Sequence, residues 1–122
     1  MTLVNEKLTE TILRICFDVL NELGSGFLES VYQKALAVAL RQSGLQVQEQ
    51  VPLKVLFRGQ TVGDFYADIV VEGQVVLELK SGKALHVEHE AQLINYLKAT
   101  GMKVGLLLNF GKQKLEWKRF IC

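Results

Sequence analysis

Leu8, Ile12, Ile15, Cys16, Val19, Leu20 and Leu23 recur at helical spacing along residues 6–23, the pattern of an amphipathic helix. Leu13 and Phe17 widen the stripe, so this helix is expected to be well buried or to form a subunit contact. Asn5 stands where an N-cap belongs. Gly24-Ser25-Gly26 ends the segment, because glycine accepts the left-handed conformation common just past a helix end. A second helix is predicted over 27–43, with Leu28, Val31, Tyr32, Ala35, Leu36, Ala39 and Leu40 apolar and Gly44 as its stop. Glu29 falls in its first turn, where an acid favours the helix dipole, and takes the N3 position if Gly26 is the N-cap.

The pattern then changes to strands. Val47, Val51, Leu53, Val55 and Phe57 mark a strand over 46–58, and Arg58-Gly59-Gln60 a turn. Strand residues resume at Thr61-Val62, with a bend or bulge expected at Gly63-Asp64. Residues 66–80, YADIVVEGQVVLELK, predict a hairpin with its turn at Glu72-Gly73-Gln74. A third helix is predicted over 87–100, stopped by Gly101. KVGLLLNF, 103–110, is apolar enough for a buried strand. Leu115, Trp117 and Phe120 suggest a last short strand. The order is ααββββαββ, an α/β sandwich with one mixed sheet.

Composition narrows the class. At 122 residues the chain suits one domain, 1–122, with a single core. Hydrophobic residues make up 49% and proline occurs once, which argues against disorder. No apolar run reaches the roughly 18 residues of a membrane span, and MTLVNEKLTE does not resemble a leader. Cys16 and Cys122 match no metal-site spacing. A reduced, cytoplasmic protein is expected. Fourteen basic and 13 acidic residues leave a net charge of +1, unlike a strongly basic nucleic-acid coat, although a basic rim around an acidic site stays open.

The chemistry concentrates in the hairpin. A three-residue loop sets Val71 opposite Val75 and Ile69 opposite Leu77. The other face then carries Val70 opposite Val76, Asp68 opposite Glu78 and Tyr66 opposite Lys80. Opposed Cβ atoms lie roughly 4.5–5.5 Å apart. Two carboxylates at that range repel by roughly 3–4 kcal/mol at an effective dielectric of about 20. A divalent cation between them reverses the sign, since magnesium prefers carboxylate oxygens. The Leu79 carbonyl offers a further oxygen. Glu78 and Lys80, two apart on a strand, point the same way. Metal-assisted phosphodiester hydrolysis needs such groups, but spacing alone fits a solvated charge cluster equally well. Glu29 and Gln92 arise on the two helices expected to cover the sheet. His89, Gln92 and Tyr96 share one helical face.

Asp68-x9-Glu78-Leu79-Lys80 resembles the PD-(D/E)XK nuclease superfamily. GSGFLESVYQKAL (24–36), DFYADIVVEGQVVLELK (64–80) and HEAQLINYLKATGMKVGLLLNFG (89–111) are similar to the GxxExxY protein family placed within it, whose signature falls on Gly26, Glu29 and Tyr32. The resemblance implies a restriction-endonuclease-like sandwich, a central mixed sheet flanked by helices. It implies Glu29, Asp68 and Glu78 as metal-binding acids for Mg2+ or Mn2+, and Lys80 as the catalytic lysine. Gln92 and Tyr96 form Q-x-x-x-Y, similar to the motif of RecB-type nucleases, where it supports the active site. Ala67 replaces the proline usual before the first aspartate. His89 reads first as a helix-start or core histidine, and Tyr32 first as a core aromatic on the stripe.

Three functions follow. The first is a metal-dependent nuclease acting on DNA. The second is a catalytically silent module on the same fold that binds nucleic acid or protein. The third is a structural homodimer built through the first helix.

Overall fold

The computed structural model describes residues 5–122. The stretch MTLVNEKLTE, expected not to be a leader, falls partly on residues 1–4, which lie outside the described residues. Three helices and five strands follow the order α1 (Glu6–Leu23), α2 (Glu29–Gln42), β1 (Val47–Phe57), β2 (Gln60–Val71), β3 (Val75–Lys80), α3 (Val87–Thr100), β4 (Val104–Asn109), β5 (Glu116–Ile121). The strands form one mixed sheet in the order β1-β2-β3-β4-β5. β3 and β4 run parallel and the other neighbours antiparallel. The parallel pair requires a crossover, and α3 supplies it. Among the described residues no helix is long and apolar enough to cross a membrane.

Each face of the sheet has its own core. On one, Ile12, Cys16, Leu20, Leu36 and Leu40 of α1 and α2 pack on Ile69, Leu77, Leu79, Leu106 and Leu108. On the other, Leu93, Tyr96 and Leu97 of α3 pack on Ala67, Val70, Val76 and Leu107. A Cβ at Gly105 would lie 2.8 Å from Leu93 Cδ1, so β4 admits α3 this closely only without a side chain there. Cys16 is buried, and desolvation raises its thiol pKa.

Three local expectations change. The four strands expected between α2 and α3 are three, because Gly63-Asp64 continues β2 rather than breaking it. Gly63 pairs with Val55 and Asp64 with Lys54, while the register slips at Val55/Leu56, next to Val62. Gly63 is needed because a Cβ would meet the Phe65 ring at 2.8 Å. Asn5 occupies the N-cap of α1 with φ 53°, but its side chain caps nothing; Thr9 bonds back to its carbonyl. The N-cap of α2 is Leu28, which makes Glu29 its first residue rather than its N3.

The hairpin register is as expected for Val71↔Val75, Val70↔Val76 and Ile69↔Leu77, and the ladder ends there. Tyr66 pairs with Pro52 of β1 instead of lying opposite Lys80. The cause is a change of face at Asp68. Ile69 and Val71 face α1 and α2, yet Phe65 and Ala67 face α3. Strict alternation would put 65, 67, 69 and 71 on one side.

Candidate active site

Where β2 and β3 stop pairing, a side chain takes over the backbone's role. Asp68 Oδ2 accepts the Leu79 N–H at 2.8 Å. Asp68 is thus stitched to the middle of Glu78-Leu79-Lys80 while remaining partly accessible. Glu78 points the other way from Leu79 and is 2% exposed. Its Oε1 is buried without a hydrogen-bond partner. Burial raises the Glu78 pKa to about 8, Asp68 adds repulsion and Lys80 opposes both. Ionising Glu78 is therefore costly in the folded chain, from burial first and from the Asp68 charge second.

Glu29, at the start of α2, is close enough to Lys80 and Asp68 to feel both charges. Its outer surface is exposed. Partial desolvation raises its pKa, Lys80 lowers it and Asp68 raises it again, so all three share one field. Among the described residues no three His, Cys, Asp or Glu side chains converge tightly enough to hold a metal by themselves. Glu29 approaches the acid pair without closing a three-acid cage.

The loop holding Glu29 is fixed by the third residue of its motif. Tyr32 is fully buried and stacks on Phe110 at 5.0 Å. Its hydroxyl donates to the Gly24 carbonyl at 2.5 Å and accepts the Phe27 N–H at 3.2 Å. The Phe27 carbonyl in turn accepts from Ser81 Oγ at 3.0 Å. Gly26, φ 110°, lets the chain turn inside this bracket. Tyr32 is a core aromatic whose hydroxyl holds the loop before Glu29, and Ser81, the residue after Lys80, is tied to that loop.

α3 closes the other side. Tyr96 is buried, and its hydroxyl donates to the Val51 carbonyl at 3.4 Å. Desolvation and the Glu78 charge both raise its pKa, which puts the phenol beside the buried acid. Gln92 lies one turn earlier, half-buried. His89 caps the start of α3: its Nδ1 accepts the His86 N–H at 3.2 Å. Burial, then Lys80, then His86 lower its pKa. Lys80, Lys83, His86, His89, Ser81 and Glu29 line an open cleft of about 340 Å³.

A family model of the PD-(D/E)XK nuclease superfamily matches residues 6–120. The chain belongs to this superfamily. Nucleases of the superfamily generally use divalent metals. No curated protein matches the chain. A solved structure, "Crystal structure of SSO0001", superposes with a TM-score of 0.60 at 15% identity, over 75% of this chain and 48% of that one. The superposition shows the fold, and this chain covers about half the length of that structure.

Two residues of this candidate site carry no motif in the sequence. Asn109, fully buried at the end of β4, donates to the Gly82 carbonyl and Glu116 and accepts the Gly82 and Gly111 N–H groups, at 3.0–3.1 Å. It anchors the loop that leaves Lys80. Its signal was a lone amide in the apolar run LLLNF, since a buried polar side chain must find partners. Gln50, which reaches Asp68, carried no local signal.

Proposed function

We propose that this chain is a divalent-cation-dependent nuclease that hydrolyses phosphodiester bonds, with DNA as its substrate. The unpartnered, buried Oε1 of Glu78 carries the reading. A carboxylate oxygen left so is costly, and a hard cation supplies the missing partner. Asp68 and Glu78 would hold the cation, Mg2+ or Mn2+, with Glu29 adding charge from the rim. Two inner carboxylates suit magnesium, which keeps several of its waters. A bound cation supplies an acidified water and stabilises charge on the phosphate.

The remaining roles belong to the chain. Lys80 meets the phosphate charge and orients the attacking water. Asp68 keeps Glu78 and Lys80 in register through the Leu79 N–H. Tyr96 and Gln92 wall the site from the α3 side. Lys83, His86 and His89 extend the positive field along the cleft where a strand would leave. Within the superfamily, the G-x-x-E-x-x-Y spacing of Gly26, Glu29 and Tyr32 supports a kinship with the GxxExxY proteins.

Magnesium- or manganese-dependent cleavage of single-stranded, double-stranded or branched DNA tests the proposal. Glu78→Ala and Lys80→Ala should each abolish cleavage with the circular dichroism spectrum retained; cleavage that survives both changes sinks it. The lack of a three-acid cluster among the described residues favours a second reading, a silent module that binds nucleic acid or protein. Salt-dependent binding by the parent protein without cleavage would select that one.

A further inference from the structure

Gln50 stands in β1 between the pairs Glu49↔Ile69 and Val51↔Ala67, directly across from Asp68. Its φ is 49°. Left-handed backbone is unfavourable for a residue with a Cβ, and strain of this kind persists where surrounding structure enforces it. At this step β1 also changes face: Val47 packs towards α1 and α2, Val51 and Leu53 towards α3. Both strands therefore turn over at Gln50 and Asp68 together. Glycine would make the same bend without strain, so the bend alone does not explain glutamine.

The side chain does. Gln50 Nε2 donates to Gln33 Oε1 of α2 at 2.6 Å and reaches Asp68 Oδ1 at 3.3 Å. Gln33 is held in turn: its Nε2 donates to Glu49 Oε1 at 3.3 Å, and Arg41 pairs with Glu49 Oε2 at 3.1 Å. With Oδ2 taken by the Leu79 N–H, each oxygen of Asp68 has a donor. An amide donor is neutral. It orients the carboxylate without cancelling the charge that a cation or Lys80 would meet, which an arginine or lysine at the same place would do.

We propose that Gln50, braced by Gln33, is a positioning residue that aims the Asp68 carboxylate at the Glu78–Lys80 side of the site. The consequence for cation binding rests on the nuclease reading above; the consequence for Asp68 does not.

Gln50→Gly separates strain from positioning. It removes the left-handed penalty together with the amide, so the melting temperature should stay level or rise. A merely structural glutamine would lower it. The Mn2+ concentration for half-saturation, followed by manganese paramagnetic resonance, should rise about ten- to a hundredfold, as for other groups that orient a metal ligand. Hydrogen exchange at the Leu79 amide should accelerate severalfold without any metal. Gln33→Leu keeps the β1 backbone and loosens the brace, and should shift both readouts the same way by less. Unchanged Leu79 exchange and unchanged Mn2+ affinity in both variants would overturn the proposal. Faster Leu79 exchange in a protein whose parent form neither binds Mn2+ nor cleaves DNA would uphold the positioning role and overturn the nuclease reading instead.

Discussion

Glu78 shows how one buried carboxylate ties stability to chemistry. Burial first, and Asp68 second, lift its pKa to about 8 from an ordinary 4.5. The folded protein thus keeps a proton that the unfolded chain releases. That stabilisation is complete below the unfolded value and is lost as pH rises through the folded one. Melting temperature without added cation should fall between about pH 5 and pH 8, and Glu78→Gln should flatten the fall in a series of thermal scans. A cation requires the ionised form, so the stabilising effect of millimolar Mn2+ should grow over the same window. Tyr32 makes a second prediction at this scale. Tyr32→Phe keeps the stack on Phe110 but strands the Phe27 N–H. A loss of about 1–2 kcal/mol in urea unfolding is expected, with weaker cleavage because the loop before Glu29 is no longer bracketed.

At the scale of elements, the site depends on what happens where strands end. β3 stops at Lys80, and its continuation is held by β4 rather than by its own turn. Asn109 grips Gly82 and Gly111 from beneath, and Glu116 accepts both Asn109 and the Leu85 N–H. The bond from Asn109 is the first cause that lowers the Glu116 pKa. Gly111 has no room for a side chain, since a Cβ would run into the backbone of Gly82. Asn109→Leu keeps the volume and leaves several polar groups without partners. It should cost about 2–4 kcal/mol in equilibrium unfolding and, on the proposed nuclease reading, raise KM for DNA more than it lowers kcat. α3 couples to the same end of the sheet, because its first turn supplies His86 and His89 to the cleft shared with Lys80.

For the whole molecule, a net charge of +1 hides an uneven arrangement. Two lysines and two histidines gather along the cleft that also holds Glu29, and Lys80 links it to the charges of Glu78 and Glu29. A polyanion would meet positive charge first and the acids only with a cation between them. DNA binding should weaken linearly on a log–log plot against salt. Lys83→Ala should reduce that slope by about one without sequence preference, measured by fluorescence anisotropy at several salt concentrations. An unchanged slope would remove Lys83 from the binding face.

Local pattern determined the elements of this protein. Helical spacing in 6–23, the apolar run of 103–110 and the turn at Glu72-Gly73-Gln74 are properties of short windows, and each reappears in the fold within a few residues. Asp68, Glu78 and Lys80 stand out as candidates in the sequence for the same reason, but the register that loop length dictates holds only as far as Ile69↔Leu77. What needed the third dimension was every relation between windows. The two strands expected on either side of Gly63-Asp64 proved to be one, because the glycine serves a contact with Phe65 rather than a turn. Tyr66 left the face assigned to it, because alternation fails where both strands turn over at Gln50 and Asp68. Gln33, Gln50 and Asn109 look like ordinary polar residues in the chain. Their partners lie 17, 18 and 27 positions away, and only packing α2, β1 and β4 around one sheet end decides that they meet.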